Sequence, residues 1–339
     1  MGIFSIAAAI LIFPLNFILP LYSYPHIGQA QTSSEVEYSE SQVKGVEQER
    51  KDNEIFLESV LPVAVYQPVR KENSFDIAVP DAHAFLVLDA DSGAILHEKN
   101  ANEKKQVASL TKIMTAVLII ENVEDLQEDV TITKEALYIP GTTIGCPRSG
   151  YCIGQRLVEG EKISVENLLK AMLMNSTNDA ATALAIHIGE SQDKFVEMMN
   201  EKARSLGLKN TNFCTPSGLE IDGEEESCYS TAYDIGEITA YSLNYEVIWD
   251  MMKIPEADLY SSDGKYQHHV GNTNRLLNEM EGMIGAKTGF TPMAGYSLLM
   301  SACDQSGKHK IITVILDDPY RWNDAEKLIS WAYKNYSWK

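Results

Sequence analysis

The segment from residue 109 to residue 120 constrains the fold more than any other part of the chain. It reads Ser-Leu-Thr-Lys-Ile-Met-Thr-Ala-Val-Leu-Ile-Ile and is apolar on nearly every face of a helix. A helix without a wide polar stripe must be enclosed by other elements, so this segment predicts a central buried helix. Lys112 would be desolvated there, which lowers the pKa of its amine.

The segments around this helix predict a mixed α+β fold. Two apolar runs, 84–88 and 94–96, flank an Asp-Ser-Gly turn and predict a β-hairpin. Helices are predicted at 165–174, 178–188, 191–206 and 324–335, and further strands at 296–302 and 310–316. We expect an antiparallel sheet that is assembled from both ends of the chain and flanked by helices, plus a mostly helical subdomain.

Composition divides the chain into three parts. Residues 1–30 contain no Asp, Glu, Lys or Arg and are nearly all apolar up to position 22, which predicts an export signal or an N-terminal membrane anchor. Residues 31–79 carry ten acidic and five basic side chains and predict a solvated linker, whose apolar stretch 60–66 could dock as an edge segment. The folded domain is expected at 80–339. The formal net charge of −20 argues against a nucleic-acid partner.

Several catalytic signatures are absent from the sequence. It contains no Gly-x-Ser-x-Gly, His-Glu-x-x-His, Gly-x-x-x-x-Gly-Lys or Cys-x-x-Cys pattern, which disfavours an α/β-hydrolase, a zinc protease and a phosphate-binding loop. His268 and His269 are adjacent, and adjacent side chains on a strand point apart, so we expect surface residues rather than metal ligands. The sequence predicts neither a metal nor a cofactor.

Ser-x-x-Lys places a hydroxyl and an amine one turn apart on a helix, but it occurs four times in this chain. Ser41 lies in the acidic linker, Ser191 at an expected helix N-cap and Ser262 in a turn. Only Ser109 begins the enclosed helix. A desolvated Lys112 can accept the serine proton there, and the first-turn N–H groups favour an oxyanion.

Two further signals follow in a fixed order. Ser-Thr-Asn at 176–178 lies between two predicted helices, and 287–289 is the only Lys-Thr-Gly in the chain. Taken singly, the first is also explained by a capped helix break and the second by a glycine-rich strand start. Gly289 would let a substrate backbone approach the strand closely. The order of the three signals, with the enclosed helix, favours a serine nucleophile beside a lysine base over three separate structural explanations.

On these residues the chain resembles the penicillin-recognising serine D-Ala-D-Ala carboxypeptidases, the low-molecular-mass penicillin-binding proteins. The resemblance covers roughly residues 82–333 and implies their β-lactamase/transpeptidase-like fold. Further segments match this family at 87–93, 108–116, 161–169, 216–219 and 229–234. The chain departs from it at Thr177, where Gly is usual, at Thr215, where Asn is common, and at Phe290, where Tyr or His is frequent.

The resemblance implies a role for each motif residue in hydrolysing a peptidoglycan stem pentapeptide. Ser109 would attack the carbonyl of the penultimate D-Ala with Lys112 as the general base. Ser176 would relay a proton to the departing amine, held by Lys287, while Asn178 would orient Lys112 and the substrate amide. β-Lactams would acylate Ser109 as covalent inhibitors, and the enzyme would work in the extracytoplasmic cell envelope.

The resemblance also implies the binding residues. The N–H groups of Ser109 and Phe290 would form an oxyanion hole, beside the backbone of Gly289. Thr288 would bind the terminal carboxylate of the substrate. Arg321 is a second candidate for that carboxylate, and a solvated surface arginine is the alternative.

Three other functions stay open at this point. A β-lactamase shares the three motifs and needs an additional carboxylate base, for which the interval between the second and third motifs offers Glu220, Glu224, Glu225 and Glu226. A D,D-endopeptidase would use the same machinery. A non-catalytic sensor of stem peptides or β-lactams would share the fold.

Four of the five cysteines are spaced to close two local loops. Cys146 and Cys152 flank a turn-rich segment, and Cys214 and Cys228 flank an acidic one. Their short separations favour these two pairs over the other connectivities, in an exported protein where disulfides persist. Cys303 is then left as a small hydrophobic residue on a strand. The alternative is five free thiols in a reducing cytosol.

Overall fold

The computed structural model describes residues 66–147 and 151–339 of the chain. The expected leader at 1–30, Ser41 and the rest of the linker up to residue 65 lie outside the described residues. The strands in chain order are β1 (Pro68–Arg70), β2 (Ala84–Asp89), β3 (Ile95–Lys99), β4 (Asp129–Thr131), β5 (Lys162–Ser164), β6 (Glu256–Tyr260), β7 (Gln267–Gly271), β8 (Met283–Thr291), β9 (Gly295–Cys303), β10 (Lys310–Leu316) and β11 (Tyr336–Trp338). The helices are α1 (Lys112–Asn122), α2 (Lys134–Leu137), α3 (Val165–Met174), α4 (Asn178–Gly189), α5 (Gln192–Ser205), α6 (Ala232–Ser242), α7 (Glu246–Met252) and α8 (Arg321–Asn335).

The main sheet is built from both ends of the chain, as predicted. Its order is β3-β2-β10-β9-β8, and every neighbouring pair is antiparallel. β2 and β3 form the predicted hairpin, and β9 and β10 form the second one. The long central insertion between β3 and β8 supplies α1 to α7, so the mixed α+β class with a helical subdomain is confirmed.

Alternating residues of β2 cover the two faces of this sheet. Leu86 and Leu88 belong to a core shared with the helical block, whereas Phe85 and Val87 belong to a second core. The second core includes Leu328, Ile329 and Ala332 of α8. Apolar side chains on both faces explain why β2 is buried along its whole length.

The central helix is present where the apolar segment predicts it. All residues from 112 to 119 of α1 are buried. A 3₁₀ turn, Ala108–Thr111, precedes α1, so Ser109 lies in the tight turn that leads into the helix. The helices predicted at 165–174, 178–188 and 191–206 match α3, α4 and α5, with Ser164 and Ser191 as side-chain N-caps of α3 and α5. α8 starts at Arg321, three residues before its predicted start.

The folded part of the chain extends to the N-terminal side of residue 80. β1 pairs with β11, Val79 is buried in the second core, and Trp331 Nε1 donates to the Phe75 carbonyl at 2.5 Å. These residues were assigned to the solvated linker by composition. Their partners come from the far end of the chain, which local composition does not reveal. Except for Tyr66, the apolar stretch 60–66 lies outside the described residues.

The two predicted disulfides are present. Cys146 is bonded to Cys152 and Cys214 to Cys228. Cys303 is a free thiol at the end of β9 and is half-buried, with its Sγ 3.3 Å from the Gly282 carbonyl. Across 66–147 and 151–339, none of the helices has both the length and the apolar character that crossing a membrane requires.

The prediction of a surface position is wrong for His268. Burial alternates along β7, so His268 faces inward and His269 faces outward. His268 Nε2 lies 2.6 Å from Glu161 Oε1, and both side chains are fully buried. The strand alternation separates the two histidines correctly, but it does not tell which of them faces the core.

Candidate active site

The proposed nucleophile lies where a strained turn meets α1. Ala108 has a φ of 49°, an uncommon backbone conformation for a residue with a side chain. Ser109 follows it, and Lys112 is the first residue of α1. Lys112 Nζ is hydrogen-bonded to Ser109 Oγ at 2.9 Å. The Ser-x-x-Lys spacing therefore brings the hydroxyl and the amine into direct contact.

Lys112 is fully buried and has three oxygen partners. Besides Ser109, its Nζ donates to Asn178 Oδ1 at 2.8 Å and to the Ser217 carbonyl at 2.6 Å. Burial lowers the pKa of Lys112 well below its usual value, and the charge of Lys287 lowers it further, whereas the charge of Asp179 raises it. A lowered pKa increases the neutral fraction that can take the serine proton.

Ser176 and Asn178 lie at the break between α3 and α4. Ser176 has a φ of 64° and accepts a hydrogen bond from Lys287 Nζ at 2.7 Å. Asn178 begins α4 and is held twice by one neighbouring segment. Its backbone N–H donates to the Thr142 carbonyl at 2.7 Å, and its Nδ2 donates to the Pro140 carbonyl at 2.8 Å. The side-chain carbonyl of Asn178 is thereby aimed at Lys112.

Lys287 is a fully buried side chain on the edge strand β8. Burial lowers the pKa of Lys287 to about 7. Its Nζ also donates to the Thr288 carbonyl at 3.0 Å. Near neutral pH this lysine is shared between its ammonium and amine forms, so a group able to give or take a proton lies beside the hydroxyl of Ser176.

Gly289 lets β8 pack against the turn that carries Ser109. A Cβ at this position would lie 2.9 Å from the Val107 carbonyl oxygen, closer than real Cβ contacts. The close approach at this glycine is thus made by the protein's own backbone, whereas the sequence argument assigned it to a substrate. The next residue back, Thr288, is half-buried, and its Oγ1 lies 3.1 Å from Thr273 Oγ1.

Phe290, Tyr296 and Arg321 form a stack at the exposed end of β8. The Phe290 side chain is 54% exposed, and its ring lies on the Tyr296 ring with centroids 4.6 Å apart. The Arg321 guanidinium lies 4.8 Å from the centroid of the same Tyr296 ring. Arg321 Nε is buried and has no hydrogen-bond partner among the described residues.

Several residues of the site were missed by sequence reasoning. The Ser217 carbonyl is a partner of Lys112, the segment 140–144 supports Asn178, and Asp179 is a buried carboxylate next to them. The family-like segment 216–219 contains Ser217, and its sequence predicts no role for that carbonyl. Backbone carbonyls carry no sequence signal of their own, so their contribution becomes apparent only once the loops are placed. The described residues contain no cluster of three or more His, Cys, Asp or Glu side chains fit to hold a metal ion.

The chain is similar in sequence and fold to known D-alanyl-D-alanine carboxypeptidases. The family model described as D-alanyl-D-alanine carboxypeptidase matches residues 71–320. D-alanyl-D-alanine carboxypeptidase DacF of Bacillus subtilis is 34% identical over 263 residues, which cover 76% of this chain and 63% of that relative. This chain thus spans less than two thirds of the length of DacF, and the same holds for two carboxypeptidases of Escherichia coli that it matches.

A relative of different activity and a solved structure complete the comparison. The D-alanyl-D-alanine endopeptidase of Pseudomonas aeruginosa is 30% identical over 249 residues, covering 73% of this chain and 75% of that relative. The crystal structure of D-alanyl-D-alanine carboxypeptidase from Mycobacterium tuberculosis H37Rv has a TM-score of 0.68 at 28% identity, covering 78% of this chain and 96% of that one. A family model that spans most of the folded part and a shared fold lead to one conclusion: the chain belongs to the D-alanyl-D-alanine carboxypeptidase family.

Proposed function

We propose that the protein is a serine-type D-alanyl-D-alanine carboxypeptidase. It removes the terminal D-Ala from peptidoglycan stem pentapeptides through an acyl-enzyme, and β-lactams inhibit it by acylating the same serine. The observation that carries this proposal is the contact of 2.9 Å between Ser109 Oγ and the fully buried Nζ of Lys112. The names of the relatives support the same substrate class.

In the acylation step, Ser109 Oγ attacks the carbonyl carbon of the penultimate D-Ala. Its proton passes to the neutral amine of Lys112, whose lowered pKa makes that form available. The C–N bond then breaks, and the departing D-Ala amine takes a proton from Ser176 Oγ. Lys287 reprotonates Ser176, because its Nζ lies 2.7 Å from Ser176 Oγ. Water then attacks the resulting ester: the proton that it releases restores the Lys287 ammonium, and the Lys112 ammonium returns a proton to Ser109 Oγ as the ester bond breaks.

Geometry separates the roles of the two lysines. Burial lowers the pKa of both lysines, so the pKa alone does not identify which of them is the general base. Lys112 Nζ contacts Ser109 Oγ, whereas Lys287 Nζ contacts Ser176 Oγ. A general base must lie within hydrogen-bond reach of the proton it removes. Lys112 therefore serves the nucleophile, and Lys287 serves the leaving group and binds the substrate electrostatically.

The exposed end of β8 binds the substrate. Thr288 Oγ1 and the Arg321 guanidinium bind the terminal carboxylate, because both residues are half-buried and guanidinium groups match carboxylates well. The backbone N–H groups of Ser109 and Phe290 stabilise the oxyanion, a contribution typically worth about 3 kcal/mol in the transition state.

The proposed enzyme acts outside the cytoplasm, on the cell envelope. Two disulfides in the folded part support an oxidising compartment. The uncharged residues 1–30 would direct export or tether the protein to the membrane.

A D,D-endopeptidase is the second candidate, because a D-alanyl-D-alanine endopeptidase is among the relatives at 30% identity. A β-lactamase is less well supported. Glu220 in the relevant interval accepts a hydrogen bond from Thr291 Oγ1, and no separate deacylating role is evident for it. A silent sensor is disfavoured by the intact contacts of Ser109, Lys112 and Lys287.

Labelling with a fluorescent penicillin, followed by mass spectrometry of muropeptides, tests the proposal. We expect stable labelling of Ser109 and conversion of pentapeptides to tetrapeptides with release of D-Ala. Ser109→Ala should lose both, whereas Ser41→Ala, Ser191→Ala and Ser262→Ala should keep both. Cleaved crosslinks would indicate the endopeptidase, and rapid loss of the label would indicate a β-lactamase. Labelling without any muropeptide product would indicate a sensor. Persistent labelling of Ser109→Ala would overturn the assignment of the nucleophile.

A further inference from the structure

Asn178 is hydrogen-bonded to a short neighbouring segment, residues 140–144, which is itself fixed by further hydrogen bonds. Residues 140–144 approach Asn178 so closely that a Cβ at Gly141, whose φ is +90°, would lie 2.6 Å from Asn178 Nδ2. The carbonyls of Pro140 and Thr142 accept the two hydrogen bonds of Asn178. The direction in which Asn178 Oδ1 points, toward Lys112 Nζ, therefore depends on the placement of this segment.

Asp179 fastens the same segment to α4. Both carboxylate oxygens of Asp179 accept the N–H of Ile144, at 3.1 and 3.0 Å, and Oδ1 also accepts the N–H of Ala180 at 2.9 Å. The Asp179 side chain is 2% exposed, and Ile144 is fully buried. A buried carboxylate is costly unless its hydrogen bonds are made, and the N–H groups of Ile144 and Ala180 make them here.

We propose that Asp179 is a positioning residue for the reaction. By clamping Ile144, it holds the carbonyls of Pro140 and Thr142 where they orient Asn178, and so it fixes the partner of the general base. This inference rests on the proposed function, since it assigns to Asp179 the support of the acylation step. Asp179 itself touches neither Ser109 nor the reacting atoms.

The charge of Asp179 provides a signature that a purely structural residue would lack. Burial raises the pKa of Asp179 to about 6, against the lowering effect of the Ile144 and Ala180 N–H groups and of Arg156. Asp179 in turn raises the pKa of Lys112 and of His268, while Lys287 lowers that of Lys112. Removing the charge but keeping the acceptor should therefore lower the pKa of Lys112 further.

The test compares Asp179→Asn with Asp179→Ala by the rate of acylation with a fluorescent penicillin, measured across pH. Asp179→Asn keeps the size and one acceptor for Ile144, so its plateau rate should stay within about fivefold of the wild type, while the acidic limb moves to lower pH. Asp179→Ala leaves the Ile144 N–H buried without a partner and should lower the plateau by about tenfold or more. The exposed Asp193 in the first turn of α5 offers matched controls, Asp193→Asn and Asp193→Ala, which should match the wild type.

A wild-type rate for Asp179→Ala overturns the inference. The inference is also overturned if the plateau acylation rate of Asp179→Asn falls as far as that of Asp179→Ala. It is overturned as well if the acidic limb of the pH profile of Asp179→Asn does not move. If Asp179→Ala fails to fold, Asp179→Asn alone decides: a kept plateau with a displaced limb supports the inference, and a lost plateau overturns it. If the wild type itself takes no label, the proposed function fails. If the wild type is labelled and the Asp179 variants acylate as it does, the inference about Asp179 alone fails.

Discussion

The two walls of the candidate site differ in how their polar groups are satisfied. The helical wall, made of Ser109, Lys112, Ser176 and Asn178, contains a buried amine with three oxygen partners, and the buried Lys287 of β8 lies against it beside Ser176. The strand wall, made of Thr288, Phe290, Tyr296 and Arg321, is half-buried or exposed, and the Nε of Arg321 has no partner among the described residues. Groups that move protons need shifted pKa values and fixed distances, which burial provides. Groups that bind a soluble peptide must be accessible, as Phe290 and Tyr296 are.

The two walls are also held together by different means. In the strand wall, Thr288, Phe290 and Tyr296 belong to the β8–β9 ladder, whose register on β8 runs from Met283 to Thr291, and Arg321 begins α8. The helical wall depends on two irregular loops: one holds Asn178, and the other supplies the Ser217 carbonyl to Lys112. Each of these loops adjoins or contains a disulfide, Cys146–Cys152 for the first and Cys214–Cys228 for the second. Loops without ladder hydrogen bonds have few ways to stay fixed, and a covalent closure is one of them.

The largest effect should come from the lysine of the helical wall. Lys112→Arg replaces the base by a guanidinium that does not deprotonate, so acylation should fall by about 1,000-fold. Lys287→Arg keeps a cation beside Ser176 and should retain more activity. Acylation rates with a fluorescent penicillin give the ranking directly. If Lys287→Arg were the slower variant, the division of labour between the two lysines would be reversed.

On the strand wall, loss of Arg321 should affect binding rather than chemistry. Arg321→Gln removes a charge-assisted contact to the terminal carboxylate, which should raise KM for a D-Ala-D-Ala peptide by about 10- to 100-fold with little change in kcat. Arg321→Lys should recover part of the loss, since it keeps the charge without the planar fork. The exposed Arg204 in the last turn of α5 supplies the control, Arg204→Gln. A normal KM for Arg321→Gln would show that the carboxylate binds elsewhere.

Opening the disulfides should weaken the helical wall alone. Replacing Cys146 and Cys152 by Ser, or Cys214 and Cys228 by Ser, should cost about 2 kcal/mol of unfolding free energy and slow acylation several-fold. KM for the D-Ala-D-Ala peptide should stay closer to the wild type than the acylation rate does, because Thr288, Phe290 and Tyr296 are held by the β8–β9 ladder, although Thr291 at the end of β8 donates to Glu220 of the second loop. Thermal unfolding and acylation rates check both effects, with Cys303→Ser as the neutral control. An equal rise in KM would contradict the independence of the two walls.

The parts of this site that sequence can predict are those encoded by local patterns. The spacing of Ser109 and Lys112 and the apolar run that buries them predict both the contact and the lowered pKa. By contrast, the pairing of His268 with Glu161 joins residues 107 positions apart, and strand alternation alone does not say which side of β7 is inside. The sequence does not indicate the role of Asp179 for a related reason, because its partner is the backbone N–H of Ile144 on a distant loop.

The smallest effect should come from Phe290, the most exposed residue of the strand wall. Its ring stacks on Tyr296, and such a pair is worth about 0.5–1.5 kcal/mol beyond its buried area. Phe290→Ala should therefore raise KM about two- to tenfold by releasing Tyr296, over which the Arg321 guanidinium lies. Phe290→Tyr keeps the ring and the backbone N–H, so its kinetics should stay near those of the wild type. Because the N–H at position 290 survives in both variants, acylation by penicillin should change less than KM for the peptide. If Phe290→Ala lowered kcat as much as Lys287→Arg does, the side chain of Phe290 would belong with the reacting groups. The part of β8 that only binds substrate would then not extend beyond Thr288.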